Sequence, residues 1–292
     1  MGAPRFHMIF ARLLSRLPFW ILYGISDFLF VVSFYFIRYR RKMVWKNLTN
    51  AFPEKSVPEL RLIERDFYKN LCDYAMEMLK LLTISQAELA QRVVFKNPEV
   101  STKYIHQGQS LLNLASHTFN WEWLLTAGSF TLPGHMDFVY QPVGNAFFNR
   151  FSLLSRTRFG AHAIRRDSVA REIVKRKNIV RNIALVGDQY PGYKHDKKYP
   201  VNFLNQDTVF FYGSVQLAQM TQYPVMYYAM RKVKRGYYET HIVELAQPPY
   251  EKDSHDVLEK YVREIERVIR ERPSEWLWSH NRWKTRHLQD GK

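Results

Sequence analysis

The residues of this chain best suited to chemistry are His117 and Glu122, which lie five positions apart in the stretch 109–125. A carboxylate bound to one imidazole nitrogen fixes the tautomer of the ring and leaves the other nitrogen free to take a proton. Such a pair is a general base without its own nucleophile, so the nucleophile would be a hydroxyl of the substrate. By spacing alone, a loop histidine and a solvated glutamate remain the alternative.

A strand, a turn and a helix would have to position this pair. Residues 110–115 form a short apolar run with the length of a buried strand, and from Asn120, an acceptable N-cap, apolar residues recur at helical spacing. Residues five apart in one regular helix point about 140° away from each other. The two side chains can therefore meet only if His117 stands in the turn, at the sheet edge where open α/β folds bind ligands.

Further strands and helices are predicted downstream, and together they indicate an α/β domain with a mixed sheet flanked by helices. Amphipathic or capped helices are predicted at 57–82, 145–158, 168–177 and 256–272, and strands at 136–141, 161–166 and 182–189, with a hairpin of strands at 224–233 and 237–245. Residues 190–205 are predicted to be a polar, basic and aromatic loop at the rim of the site. The predicted organisation is a membrane anchor at 1–42, a helical segment at 43–95 and a catalytic domain at 96–292.

Polar side chains end two of these strands. Arg165 and Arg166 end one strand, and Asp188 and Gln189 end another, on the edge of His117 if the strands are parallel. An arginine there could stabilise the oxyanion of an acyl transfer or hold a phosphate, or it could belong to a solvated basic face. Asp188 could position an acceptor, order the arginine or cap the following loop.

The charge of the chain indicates an anionic partner. The net charge is +16 with a pI near 9.8, and residues 150–198 contain thirteen Lys and Arg against four Asp and Glu. Nucleic acid, anionic lipid and an acidic protein would all fit this charge. The 15% aromatic content suits a membrane interface.

The single cysteine, Cys72, excludes an intrachain disulfide, and the histidines show no paired ligand spacing for a metal.

Residues 17–37 form an apolar run with one charge, Asp27, and basic residues on both sides. The run is long enough to span a bilayer, but a charge near its middle costs about 2.5–3.5 kcal/mol on insertion scales. We interpret it as a membrane anchor, either a span or a helix lying in the interface. The alternative is a buried core helix.

Several sequence blocks resemble the lipid A late acyltransferases, the lauroyl/myristoyl transferase family within the glycerolipid-acyltransferase-like superfamily. The block from Ala115 to Glu122, Ala-Ser-His-Thr-Phe-Asn-Trp-Glu, resembles the His-x4-Glu motif of that family. Further similar blocks are Ala51-Phe-Pro-Glu, Tyr140-Gln-Pro, Arg158-Phe-Gly, Asp188-Gln and Trp276-Leu-Trp-Ser-His-Asn-Arg-Trp-Lys. His280 in the last block resembles a structural or interfacial residue of the family.

The resemblance implies an O-acyltransferase that moves a fatty acyl chain from acyl carrier protein to a hydroxyl of a lipid A precursor. His117 would deprotonate the hydroxyl, Glu122 would orient His117 and Arg166 would stabilise anionic charge. Substrate-binding residues would be Asn120, Arg158, Arg165, Asp188 and Gln189. No cofactor or metal is implied. The enzyme would work at the inner membrane with its catalytic domain facing the cytoplasm.

Three other functions remain open. Relatives of this family acylate other glycolipids or aminolipids, so the acceptor could differ. A nucleic-acid-binding protein would explain the charge, but neither the apolar run nor the His-x4-Glu turn. A catalytically silent membrane-surface scaffold could keep the same fold, although an intact pair of His117 and Glu122 argues against it.

Overall fold

A seven-stranded mixed sheet organises the computed structural model, which describes residues 3–193 and 195–284. The strands, in chain order, are β1 (Val93–Phe95), β2 (Leu111–Ala115), β3 (His135–Tyr140), β4 (His162–Arg165), β5 (Arg181–Val186), β6 (Lys198–Phe203), β7 (Gln206–Phe211), β8 (Val225–Lys234) and β9 (Tyr237–Ala246). The large sheet has the order β1-β9-β8-β2-β5-β3-β4, and β6 and β7 form a separate antiparallel pair. The predicted fold class, an α/β fold with a mixed sheet flanked by helices, is confirmed.

Parallel strands form the centre of the sheet. The mostly apolar β2 lies between β8 and β5 and is parallel to both, and β5 is parallel to β3. The carboxyl ends of β2, β3 and β5 therefore meet at one edge. The β8–β9 hairpin turns at Gly236, which has φ +72°. A Cβ at Gly236 would come within 2.0 Å of the Tyr23 hydroxyl. The turn therefore needs a glycine both for its positive φ and for its close contact with Tyr23.

Eleven α-helices belong to the part of the chain that the structure describes. They are α1 (Ala3–Ser15), α2 (Phe19–Val31), α3 (Arg41–Ala51), α4 (Val57–Lys80), α5 (Gln86–Arg92), α6 (Glu99–His106), α7 (Trp121–Thr131), α8 (Ala146–Arg156), α9 (Val169–Lys175), α10 (Gly213–Thr221) and α11 (Asp256–Glu271). A capping box of Ser56 and Glu59 starts α4. The helix α2 continues into a π-helical turn, Val32–Ile37. By length and composition, Phe19–Ile37 could cross a membrane.

Two local predictions are wrong. The segment 43–95, predicted to be helical, contains most of α3 and all of α4 and α5, but its last three residues form the strand β1, which pairs with β9. Residues 198–203 were predicted to be loop but form β6, because Lys198–Phe203 alternates outward and inward side chains against β7. The last eight residues of the predicted catalytic domain, 285–292, lie outside the described residues.

Candidate active site

The turn between β2 and α7 holds His117 in place through the closing segment of the chain. Phe119 N donates to Glu275 O at 2.8 Å, and Leu277 N donates to His117 O at 3.1 Å. The helix α7 begins at once after this turn, because Asn120 Oδ1 accepts from Trp123 N at 3.1 Å. His117 thus stands in the turn at the carboxyl edge of the sheet, as predicted.

The buried carboxylate of Asp188 holds the His117 ring. His117 Nδ1 lies 2.5 Å from Asp188 Oδ1, and His117 N donates to Asp188 Oδ2 at 3.0 Å. The indole of Trp276 donates to the same Oδ2 at 2.7 Å. Burial alone would raise the pKa of Asp188, but the His117 ring and these hydrogen bonds outweigh it and lower the pKa to about 2.

The low pKa of Asp188 decides the tautomer of His117. An ionised carboxylate can only accept hydrogen bonds, so Nδ1 must carry a proton. In the neutral ring, Nε2 is then the nitrogen with a free lone pair, which is the arrangement of a general base.

The predicted contact between Glu122 and His117 is wrong. Glu122 is buried, and Arg156 on α8 binds its two oxygens at 2.7 and 2.5 Å. Trp121 Nε1 donates to Glu122 at 3.0 Å. Within the described residues, no hydrogen bond joins Glu122 to His117. The physical reason is that the guanidinium offers the carboxylate a bidentate, charged partner, whereas Asp188 already occupies His117 Nδ1.

An apolar cavity of about 480 Å³ opens beside His117, between α7 and the sheet. Its apolar lining includes Phe95, Leu124, Leu132, Met136 and Phe138. The volume falls in the range of about 300–1,000 Å³ that is typical of ligand pockets. The polar lining includes His117, Glu122, Gln141, Arg156, Arg166 and Gln189. The arrangement fits a long apolar substrate whose polar end lies at the histidine.

Arg166 and Gln189 line the cavity, as expected of site residues. Arg166 pairs with the buried Asp196 and lies over the rings of Tyr193 and Phe211, 5.1 and 4.4 Å from their centroids. These contacts fix the guanidinium at the cavity wall.

Four residues predicted to bind substrate are not among the residues that line the cavity. Asp188 is one of them, because both of its oxygens bind His117 and Trp276. Arg158 donates to Leu81 O and Ile84 O beyond the end of α4. Arg165 is exposed and pairs with Asp167 at 2.9 Å. Asn120 is fully buried, where it caps α7 and donates to Glu77 Oε2 at 2.9 Å. The structure thus gives each of them a partner within the protein.

Two contributors to the site were not identified from the sequence. Arg156 was overlooked because it is one of many basic residues, and its spacing from Glu122 carries no signal. Trp276 belongs to the closing block, where it was assigned a structural or interfacial role.

His280 in that block accepts from Tyr190 N at 3.3 Å, and burial lowers the pKa of His280 to about 4. The neutral His280 therefore acts as an acceptor for the rim loop.

Within residues 3–193 and 195–284, no group of three or more His, Cys, Asp or Glu side chains is arranged to hold a metal ion.

Residues 5–285 match the sequence model of the family described as bacterial lipid A biosynthesis acyltransferase. The match covers nearly the whole chain. No curated protein matches the chain.

Proposed function

Because this chain belongs to the bacterial lipid A biosynthesis acyltransferase family, we propose that His117 is the general base of an acyl transfer to a lipid hydroxyl. The observation that carries the proposal is the His117–Asp188 pair at the apolar cavity. A lipid hydroxyl has a pKa far above 7, so its attack on a thioester needs a base that removes the proton as the new bond forms.

The reaction would proceed in two steps. The acceptor hydroxyl loses its proton to His117 Nε2 while its oxygen attacks the thioester carbonyl. The tetrahedral intermediate then collapses, the C–S bond breaks, and the thiolate takes the proton from the imidazolium. Asp188 stabilises the imidazolium between these steps through the bond to Nδ1.

Positive charge near the carbonyl would stabilise the oxyanion. We assign this role to Arg166, which lines the cavity and is oriented by Asp196. Arg156 also lines the cavity, but both oxygens of Glu122 bind its guanidinium, whereas Asp196 binds Arg166 through Nη2 alone. Gln189, next to Asp188 at the cavity wall, is proposed to bind the polar end of the substrate.

The donor is proposed to be an acyl carrier protein thioester, which an acidic carrier would bring to the basic surface of the chain. The acceptor is proposed to be a lipid A precursor, with another glycolipid or an aminolipid as the second candidate.

The family is membrane-associated, and the apolar helix Phe19–Ile37 fits that setting. We place the enzyme at the inner membrane, with the donor and the catalytic domain on the cytoplasmic side. No cofactor takes part in these steps.

The experiment is an acyl-transfer assay with acyl carrier protein thioesters and a lipid A precursor, comparing the wild-type chain with His117→Ala. Losing a general base costs about 10²–10⁴-fold in rate, and the histidine limb of the pH–rate profile should disappear. Thr131→Ala, far along α7, serves as the control. Near-normal turnover by a folded His117→Ala variant would refute the proposal.

A further inference from the structure

Large apolar side chains are exposed on α1, α2 and the π-helical turn. We call this set the apolar ridge, and it includes Phe10, Leu13, Trp20, Phe28, Phe36 and Ile37. Trp20 and Phe36 are 75% and 76% exposed. An exposed apolar surface of this extent marks an interaction site.

The opposite face of α2 packs against the helix α4. Leu22, Ser26, Phe30 and Phe34 recur every fourth residue and are all buried, on the side of α2 that contacts α4. The apolar run therefore has two different faces, one covered by protein and one uncovered.

Both ends of α2 are tied to α4. Before α2, Thr83 Oγ1 donates to Ser15 O at 2.6 Å, and Lys80 Nζ donates to Leu17 O at 2.9 Å. After the π-helical turn, Tyr68 OH donates to Tyr39 O at 2.5 Å. The helix is thus held along its whole length.

The charge of Asp27 is balanced by the catalytic domain. Arg235, next to the turn of the β8–β9 hairpin, binds Asp27 at 2.7 Å and Asp73 of α4 at 2.6 Å. Ser26 also donates to Asp73 at 2.7 Å. This network joins α2, α4 and the hairpin, so α2 cannot enter a membrane without them.

A spanning α2 would bring α4 into the hydrocarbon. The outer surface of α4 carries Arg61, Arg65, Asp66 and Lys69, and charged side chains exposed to hydrocarbon are very costly. In addition, α1 packs against α4 and α8, so the segment before α2 stays beside the catalytic domain.

We infer that α2 lies in the plane of one leaflet of an anionic bilayer and does not span it. The apolar ridge enters the acyl region, and exposed basic residues on either side of the apolar run, such as Arg16 and Lys42, face the headgroups. This inference concerns the membrane-facing surface and does not rest on the proposed chemistry.

Single-cysteine labelling tests the orientation, because the native Cys72 is buried. Arg16→Cys and Lys42→Cys bracket the apolar run, and Asp253→Cys marks the catalytic domain; all three positions are exposed. Intact spheroplasts and inverted vesicles are treated with a membrane-impermeant maleimide, with the unsubstituted chain as background. We expect all three cysteines to react from the same side. Reaction of positions 16 and 42 from opposite sides would overturn the inference.

Vesicle binding tests the ridge itself. The double variant Phe28→Asp/Phe36→Asp should bind phosphatidylglycerol-containing vesicles roughly tenfold or more weakly. Val174→Asp, at an exposed apolar residue of α9, is the matched control and should bind as the wild type does. The double variant could instead bind vesicles as the wild type does, but fail to form a dimer that the wild type forms in detergent. The ridge would then be a contact between two copies of the chain, and the inference would be overturned. Neither readout depends on acyl transfer, so either failure leaves the proposed function standing.

Discussion

At the scale of single residues, the site is decided by which side chain each of two buried carboxylates binds. Asp188 binds the imidazole and Glu122 binds the guanidinium of Arg156. The Glu122 charge raises the pKa of Arg156 even though burial alone would lower it. The two acids therefore have different roles, and substitutions can separate them.

Asp188→Asn should cost about 10²–10⁴-fold in turnover, the range for loss of a general base. The amide of asparagine can donate to Nδ1, which would move the proton to Nε2 and remove the base.

Glu122→Gln should keep the histidine limb of the pH–rate profile. It should instead lower the free energy of unfolding by about 3 kcal/mol, since Arg156 loses its charged partner.

Arg156→Met added to Glu122→Gln is the companion variant, and it should restore part of the lost stability by removing the unpaired charge. Chemical denaturation and pH–rate profiles measure both effects. If Asp188→Asn kept its turnover while Glu122→Gln lost the histidine limb, His117 and Glu122 would form the working pair instead.

Glu275, just before Trp276, makes stability depend on pH. Burial raises the pKa of Glu275 from 4.5 to about 7, although Lys232 N donates to it at 2.9 Å. An acid with a raised pKa in the folded state binds its proton more tightly there, so folding stability falls as pH rises from about 4.5 to about 7. Above that window the full penalty, on the order of 3 kcal/mol, is present.

Glu275→Gln stays neutral and keeps an oxygen for Lys232 N. The variant should therefore be more stable than the wild type at pH about 8, by up to 3 kcal/mol on this order-of-magnitude estimate, with little difference at pH about 4.5. Denaturation midpoints measured across this range test the expectation. Glu54→Gln, at an exposed residue, is the control. A stability gain that did not change with pH would contradict it.

At the scale of elements, α7 forms one wall of the cavity and sets how far it extends. Gly128 lies seven residues after Trp121, roughly 10 Å along the helix at 1.5 Å per residue. A Cβ at Gly128 would stand 3.4 Å from Met136 Cε and 3.7 Å from Leu132 Cδ1 and Phe95 Cζ. Gly128 lines the cavity, and a Cβ there would meet neighbouring side chains only at ordinary contact distances, so the position takes a small side chain but would be filled by a large one.

Gly128→Leu should shift donor preference toward shorter acyl chains, because the added side chain would fill this part of the cavity. Gly128→Ala is the matched control, since its Cβ makes ordinary van der Waals contacts. The control should keep the wild-type preference and gain up to about 1 kcal/mol in stability from helix propensity. Competition assays with donors of different chain length measure the shift. An unchanged preference in a folded Gly128→Leu variant would place the acyl chain outside this cavity.

At the scale of the whole molecule, charge and apolar surface are the features a partner would meet. The net charge of +16 should favour an acidic carrier protein as donor over coenzyme A. We expect faster turnover with acyl carrier protein thioesters than with the matched coenzyme A thioester, and an advantage that shrinks as salt is added. Rates with the two donors, measured at low and high ionic strength, test this expectation. Equal rates at low salt would instead assign the basic surface to lipid binding.

The sequence by itself determined the parts of the protein that depend on local pattern. Apolar runs placed β2, β3 and β5, helical periodicity placed α4 and α11, and the block from Ala115 to Glu122 indicated the family and placed His117 in its turn. These features follow from chain geometry within a few residues, so periodicity and capping are enough to predict them.

Only the tertiary structure decided which side chains meet. Asp188 reaches His117 across 71 positions because β2 and β5 are parallel neighbours, and Arg156 reaches Glu122 across 34 positions through the packing of α8 on α7. The sequence placed Glu122 near His117 but could not show that Glu122 pairs with the guanidinium of Arg156 and not with His117. Nor could it show that one face of the apolar run is covered by α4. Ion pairing and burial depend on long-range packing, which has no period in the sequence.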